Sequence, residues 1–173
     1  PLFGYSKEKG VAPMPSVGEG FNVLVTGSTH NEYGYRFTSD PIVHRRMINS
    51  LHCKIMDNIS DIFDYEVEYV DDVDTLIVCY GSTARIAKVV VKEARNKGLK
   101  VGYLRLKTLW PLSESILKKH INSVNRVIIP ELNLGQLVRE IERIASDEVE
   151  VIGVNKIGGG EMFTPNEILR FIG

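Results

Sequence analysis

Residues 75–106 read TLIVCYGSTARIAKVVVKEARNKGLKVGYLRL, and this stretch decides the fold. The run 75–80 is apolar on both faces, as expected for a central strand of a parallel sheet that helices cover. Apolar residues then recur at helical spacing as far as Ala94, and Gly98 stands where a left-handed helix end belongs. A second apolar run, 101–106, follows. Strand, helix and strand in this order predict a βαβ unit with parallel strands.

The same alternation continues toward the C-terminus. Trp110-Pro111 predicts a loop, because proline disfavours a helical conformation in the residue before it. The further predicted elements are a helix from Ser113, a strand over 126–129, a helix with apolar residues from Leu134 to Ile144, a strand over 149–154, and a last helix opened by the capping box Thr164-Pro165-Asn166-Glu167. We therefore predict an α/β fold with an open, mainly parallel sheet flanked by helices.

The first forty residues have a different character. Residues 1–20 are rich in glycine and proline and predict an extended connecting arm, followed by a short strand over 21–25 and a polar loop. Asp40-Pro41 provides an N-cap and a first-turn proline for a long amphipathic helix, Val43 to Phe63. The predicted domains are an arm at 1–40 and an α/β domain at 41–173. A chain that begins with proline also suggests a piece of a longer protein.

Composition excludes several classes of protein. The net charge is -1 and the sequence pI is about 6.5, so no excess of positive charge is available for nucleic acid. No apolar run approaches the roughly 20 residues that span a bilayer. Cys53 and Cys79 have no CxxC spacing, which argues against a disulfide framework or a metal site. We expect a soluble, cytoplasmic chain with reduced thiols.

Loops at the carboxyl ends of the predicted strands are the places where a ligand would bind. Gly81, Ser82 and Thr83 offer amides and hydroxyls to an anion, without a GxGxxG or P-loop motif; capping of the next helix is the alternative. Glu131 and Asn133 follow another strand. Glu131 is either an acid in a site or the acceptor of a structural hydrogen bond to a neighbouring loop. No set of residues has the spacing of a known catalytic motif.

Five segments together resemble one family. They are VTGSTHNEYG at 25–34, YGSTAR at 80–85, LRLKTLWP at 104–111, PELNLGQL at 130–137 and NKIGG at 155–159. The chain resembles the C-terminal part of the alpha subunit of 2-oxoacid:ferredoxin oxidoreductases, and is most similar to the 2-oxoglutarate type. The resemblance covers nearly the whole chain.

The resemblance implies a transketolase C-terminal-like domain in an enzyme that decarboxylates a 2-oxoacid oxidatively, with thiamine diphosphate, and forms an acyl-CoA. Thiamine diphosphate, Mg and iron–sulfur clusters are expected in the parent complex and none in this chain, which lacks a GDG motif and cluster spacing. The implied partners are the remaining alpha-subunit domain and the beta subunit, with ferredoxin and coenzyme A acting through the complex. Gly81, Ser82, Thr83, Glu131 and Asn133 are carried over as contact candidates, with no catalytic role.

Two alternatives stay open on the sequence. The chain could be an independent binder of coenzyme A or a phosphate ligand, with Arg105, Lys107 and Lys156 supplying positive charge. It could also be a structural dimerisation module that uses the helix Val43 to Phe63 as its interface. The family reading predicts that the chain alone is inactive. Which 2-oxoacid the complex uses is not decided by these residues.

Overall fold

The structure, a computed structural model, describes residues 15–21 and 27–172. The chain divides into two compact units, Pro1–Ile62 and Phe63–Gly173. Residues 1–14 of the predicted arm at 1–20, and most of the predicted strand at 21–25, lie outside the described residues. The division after residue 40 that the sequence suggests stays a prediction.

The described residues of the first unit form two helices, α1 (Pro41–Met56) and α2 (Ile59–Ile62). Asp40 caps α1 as predicted, because its Oδ1 accepts hydrogen bonds from the amides of Ile42 at 2.8 Å and Val43 at 3.1 Å. The predicted single helix is interrupted after Met56. Asn58 donates a side-chain hydrogen bond to the carbonyl of Lys54 at 2.9 Å, a contact that competes with helical continuation.

The apolar face of α1 is not buried in the structure. None of its sixteen residues is buried, although the spacing of its apolar residues is helical. The dimerisation hypothesis for this helix stays a prediction. Among the described residues, no helix combines the length and the apolar character needed to cross a membrane.

The second unit is built on a five-stranded sheet in the order β1-β3-β2-β4-β5. Its strands are β1 (Tyr65–Glu68), β2 (Thr75–Tyr80), β3 (Val101–Leu106), β4 (Arg126–Glu131) and β5 (Glu150–Asn155). Strands β2 to β5 are parallel to one another, and β1 runs antiparallel beside β3. The predicted open, mainly parallel sheet is confirmed. β1 was not predicted, because it has only four residues and no buried side chain.

Four helices accompany the sheet: α3 (Thr83–Asn96), α4 (Glu114–Ile121), α5 (Gln136–Ile144) and α6 (Pro165–Leu169). The predicted capping box of Thr164 and Glu167 is present at α6, and Gly98 has the expected positive φ of 80° after α3. The prediction that Leu134 lies on the apolar face of α5 is wrong. The helix begins later, because Gly135 adopts a φ of 84°, which is not helical.

Helices cover both faces of the central strand, as the apolar run predicted. Ile77 and Cys79 are fully buried in one cluster with residues of α3 and α6. Leu76 and Val78 are also fully buried, and they point to the opposite face because side chains alternate along a strand. The chain passes from β2 to β3, its neighbour on one side, and then to β4, which lies on the other side of β2. The strand order therefore reverses between β2 and β4, where open α/β sheets form a crevice.

Candidate functional site

The site lies at the carboxyl edge of the parallel strands. The loops 81–82, 107–113, 132–135 and 156–164 follow β2, β3, β4 and β5 at this edge. In the register of the sheet, Tyr80 stands beside Leu106, and Glu131 stands beside Asn155. Four of the five contact candidates therefore lie in the loops or strand ends of β2 and β4, and the fifth, Thr83, is the first residue of α3.

The turn after β2 begins α3 without help from a side-chain cap. Gly81 has a φ of 54°, in the left-handed region that favours glycine. Ser82 takes the N-cap position but makes no capping hydrogen bond, because its backbone is already helical and not extended. The Thr83 hydroxyl donates instead to the carbonyl of Tyr80 at 2.8 Å. Gly81 and Ser82 are exposed, and Thr83 is buried.

Glu131 ends β4 and is fully buried. Its carboxylate accepts hydrogen bonds from the Leu137 amide at 2.9 Å and 3.1 Å, and from the Val138 amide at 3.1 Å. These amides belong to the first turn of α5, where unpaired N–H groups and the helix dipole both favour a negative charge. Of the two readings of Glu131, the structural hydrogen bond is the one observed. Whether Glu131 also helps to hold a cofactor stays a prediction.

Asn133 joins the strand end to the same helix. Its Oδ1 accepts from the amides of Gly135 at 2.8 Å and Gln136 at 3.1 Å. Its Nδ2 donates to Glu131 Oε1 at 3.1 Å and to the Tyr80 hydroxyl at 2.7 Å. Both polar ends of this side chain are therefore used inside the domain.

Tyr80 is the member of the site that sequence reasoning missed as a site residue. Its hydroxyl donates to Glu131 Oε1 at 3.1 Å, which ties the end of β2 to the end of β4. Burial raises the pKa of Tyr80, and the neighbouring Glu131 charge and hydrogen bond raise it further, so the phenol stays a neutral donor. The sequence signal that could have identified Tyr80 is its hydroxyl group at the end of an otherwise apolar strand.

The cations proposed for an anionic ligand are paired. Lys107 Nζ lies 3.3 Å from Asp64, and Lys156 Nζ lies 3.1 Å from Glu167 and 3.5 Å from Glu161. Arg105 is inside β3 and not in a strand-end loop, and its Nη1 lies 3.6 Å from Glu66. A phosphate or coenzyme A would have to compete with these carboxylates, which argues against the independent binder.

The cysteine count of this chain does not fit an iron–sulfur cluster, and the residues that the structure describes do not fit a magnesium diphosphate site. The sequence contains two cysteines, whereas a cluster takes four ligands. Burial raises the pKa of Cys79 to about 12, which opposes the thiolate that a metal needs. Within residues 15–21 and 27–172, no three His, Cys, Asp or Glu side chains converge as metal ligands. The carboxylate and amide oxygens of Glu131 and Asn133 already accept backbone hydrogen bonds.

Fold and site together define an α/β domain whose strand-end groups hold its own loops and helices in place. The chain belongs to the pyruvate:ferredoxin oxidoreductase core domain II family, whose model matches residues 73–168. The family resemblance inferred from the five sequence segments is thereby confirmed.

Curated relatives extend the match to nearly the whole chain. It is 42% identical over 168 residues to the 2-oxoglutarate synthase subunit KorA of Methanocaldococcus jannaschii, which covers 97% of this chain and 44% of that protein. It is 38% identical over 95 residues to the ketoisovalerate oxidoreductase subunit VorB of Methanothermobacter thermautotrophicus, covering 55% of this chain and 27% of that protein. The chain therefore spans less than half the length of these relatives.

One solved structure has the same fold. A 2-oxoglutarate:ferredoxin oxidoreductase from Magnetococcus marinus, solved with 2-oxoglutarate, coenzyme A and succinyl-CoA bound, superposes with a TM-score of 0.82 at 28% identity. The match covers 98% of this chain and 29% of that chain. This chain therefore matches less than a third of that longer polypeptide.

Proposed function

We propose that this chain acts as core domain II of the alpha subunit of a 2-oxoglutarate-type 2-oxoacid:ferredoxin oxidoreductase. It contributes assembly and shapes the surrounding site, while the parent complex carries out thiamine-diphosphate-dependent oxidative decarboxylation to an acyl-CoA. Thiamine diphosphate, Mg and the iron–sulfur clusters bind elsewhere in that complex, and its other partners are the remaining alpha-subunit domain, the beta subunit, coenzyme A and ferredoxin. The proposed location of the complex is the cytoplasm.

The observation that carries the proposal is the closed network at the carboxyl edge. Tyr80, Glu131 and Asn133 bond to one another and to the start of α5, so their polar atoms fix the shape of the edge. Hydrogen bonds of this kind position a surface and do not move a proton to a substrate. The choice of 2-oxoglutarate rests on relatives named 2-oxoglutarate synthase subunits, which are 37 to 42% identical over 92% or more of this chain.

The five contact candidates divide by exposure. Gly81 and Ser82 are exposed at the edge and are the ones that would face a neighbouring part of the complex. Thr83 and Glu131 are buried, so each would act through the loop that it holds. Asn133 is half-buried and donates to Glu131 and to the Tyr80 hydroxyl.

The first experiment uses the purified chain by itself. We expect no heat of binding in a titration calorimeter with thiamine diphosphate plus magnesium, none with coenzyme A, and no 2-oxoglutarate-dependent reduction of a viologen dye. Thiamine diphosphate binding or dye reduction by the isolated chain would overturn the assembly role. Saturable coenzyme A binding alone would instead favour the independent binder.

The second experiment asks for function in a complex. This chain replaces the matched 168-residue region of the Methanocaldococcus jannaschii KorA subunit, and the chimera is expressed with its partner subunits. We expect the chimera to assemble with its partner subunits and to show 2-oxoglutarate-dependent viologen reduction comparable to that of the unaltered complex. A chimera that does not assemble, while the unaltered subunit does, would contradict the assembly role.

A further inference from the structure

Large apolar side chains are exposed on three of the loops at the carboxyl edge. We call this set the strand-end surface. Its members are Leu109, Trp110, Leu132, Leu134, Ile157 and Met162. The exposed fraction reaches 71% for Trp110, 72% for Leu134 and 66% for Ile157. Side chains of this size in one place are unusual on a protein that has no partner.

The strand order places these residues in a row. Trp110 follows β3, Leu134 follows β4 and Ile157 follows β5, and β2 lies between β3 and β4. Neighbouring strands are about 4.8 Å apart, so the row extends over roughly 15 Å. Gly81 and Ser82 follow β2, between the loops of Trp110 and Leu134. Both are exposed, and neither has a large side chain.

The strand-end surface has little charge. Residues 81–82, 108–113, 132–137 and 157–160 contain no Asp, Glu, Lys or Arg, and the exposed Glu161 beside Met162 lies 3.5 Å from Lys156. The nearest lysines in the chain, Lys107 and Lys156, are paired with carboxylates. Phosphates and nucleic acids need unpaired cations, so an apolar polypeptide surface suits this edge better.

Hydrogen bonds hold in place the two loops that follow β4 and β5 and carry part of the surface. Asn155 Nδ2 donates to the Asn133 carbonyl at 3.0 Å, and Lys156 Nζ donates to the Met162 carbonyl at 3.1 Å. Asn133 also bonds the amide of Gly135, next to Leu134. A surface held in this way loses little conformational entropy when a partner covers it.

The length of the relatives indicates which partner this is. The matched region is 44% of the Methanocaldococcus jannaschii subunit and 29% of the Magnetococcus marinus chain, so most of each polypeptide lies outside it. Trp110 would bury on the order of 150 Å², and the six side chains together several hundred. Separate proteins need about 800 Å² on each side, whereas a covalently attached domain, at millimolar effective concentration, needs less.

From these observations we infer that the strand-end surface docks, around Trp110, onto another core domain of the same oxidoreductase polypeptide. The inference rests on the proposed function and adds to it the surface that makes the contact. The docked domain presents an uncharged, apolar face. A second copy of this chain and coenzyme A are the competing occupants.

The test uses the chimeric KorA subunit described above with two matched double variants. Trp110→Ser with Leu134→Ser removes two members of the strand-end surface. Val89→Ser with Leu99→Ser removes two exposed apolar side chains elsewhere on the domain. We expect the first pair to lower the yield of assembled complex at least about tenfold, as loss of a central contact does, and the second pair to leave it unchanged.

Equal yields from the two pairs, with an active unsubstituted chimera, would overturn the docking surface while leaving the proposed function in place. An unsubstituted chimera that fails to assemble would instead defeat the proposed function, and the docking surface with it. Urea unfolding of the isolated chain with each pair shows whether a lower yield comes from misfolding. Equal midpoints for the first pair and the unsubstituted chain support docking, and a collapse of the first pair alone counts against it.

Trp110 gives a second readout, because it is the single tryptophan of the chain. We expect its emission in the isolated chain to be that of an exposed indole and to be independent of protein concentration and of added coenzyme A. A blue shift that accompanies dimer formation in sedimentation would assign the surface to a second copy and overturn the proposal. A shift on addition of coenzyme A would overturn it in favour of the ligand.

Discussion

The carboxylate of Glu131, at the end of β4, accepts hydrogen bonds from the backbone amide of Leu137 at 2.9 Å and 3.1 Å. A buried negative charge thus satisfies the first turn of α5, which has no side-chain cap at its own N-cap residue, Gly135. The position of α5 depends on a residue outside the helix. This relationship makes the loop 132–135 a fixed part of the edge.

Glu131→Gln should lower the free energy of unfolding by about 2 kcal/mol or more. The amide group of glutamine would bring an N–H donor against the amides of Leu137 and Val138, and the favourable charge would be lost. Urea denaturation followed by circular dichroism measures the change. Glu142→Gln, on the exposed face of α5, is the matched control and should stay within about 0.5 kcal/mol of the unsubstituted chain. Equal effects would contradict the capping role.

Tyr80 and Asn133 should be energetically coupled. Tyr80→Phe removes an acceptor for Asn133 Nδ2 and a donor to Glu131, and should cost about 1 to 2 kcal/mol. Asn133→Ala should cost a similar amount. In a double-mutant cycle we expect a coupling energy of about 0.5 kcal/mol or more, as is usual for residues in one hydrogen-bond network. Strict additivity would mean that the two side chains act independently.

Glu167 should make the free energy of unfolding of the domain depend on pH in the acidic range. Hydrogen bonds from the Thr164 amide and hydroxyl, followed by Lys156, lower the pKa of Glu167 from 4.5 to about 2. A lowered pKa stabilises the folded state above pH 4.5, and this contribution disappears as the pH falls from 4.5 toward 2. Unfolding measured across this range should show a gap between the unsubstituted chain and Glu167→Gln that closes on acidification.

Glu161→Gln is the control for that titration. Glu161 pairs with the same lysine at 3.5 Å, but the capping box of α6 does not include it. Its variant should follow the unsubstituted chain closely from pH 7 to pH 2. A gap for Glu167→Gln that stays constant with pH would show that the loss is structural and not electrostatic.

The two thiols should react at very different rates. Cys53 is exposed, whereas Cys79 is fully buried and its pKa is raised to about 12 by burial. A thiol-reactive disulfide reagent at pH 8 should therefore modify one thiol quickly in the native chain and both in urea. Cys53→Ser should leave the native chain almost unreactive. Fast modification of Cys79 would indicate that the sheet opens locally around β2.

The sequence predicted the parts of the fold that depend on local periodicity. β2 and β3 coincide with the apolar runs 75–80 and 101–106, because a strand buried on both faces has few polar residues. The caps at Asp40 and Thr164 were also predictable, since each uses partners within three residues. β1 escaped prediction because its stabilising pairs, such as Tyr65 beside Leu106, are far apart in sequence.

The sequence predicted where the candidate site lies but not what its residues do. Strand ends identify Glu131 and Asn133 as neighbours of the edge, because the carboxyl ends of parallel strands meet there. The same reasoning offered Lys107 and Lys156 as cations for a ligand. Their partners, Asp64 and Glu167, are 43 and 11 residues away, and only the folded chain brings them together.

By itself the sequence determined the family, the parallel sheet and the absence of a cluster-binding set of cysteines, since these depend on residue type, spacing and period. The tertiary structure alone decided that Glu131 caps α5, that Tyr80 joins it, and that Trp110 and Leu134 stay exposed at one edge. Burial and hydrogen bonding depend on distances between segments. A linear pattern records which groups exist, whereas the fold determines which of them are already satisfied and which remain open to a partner.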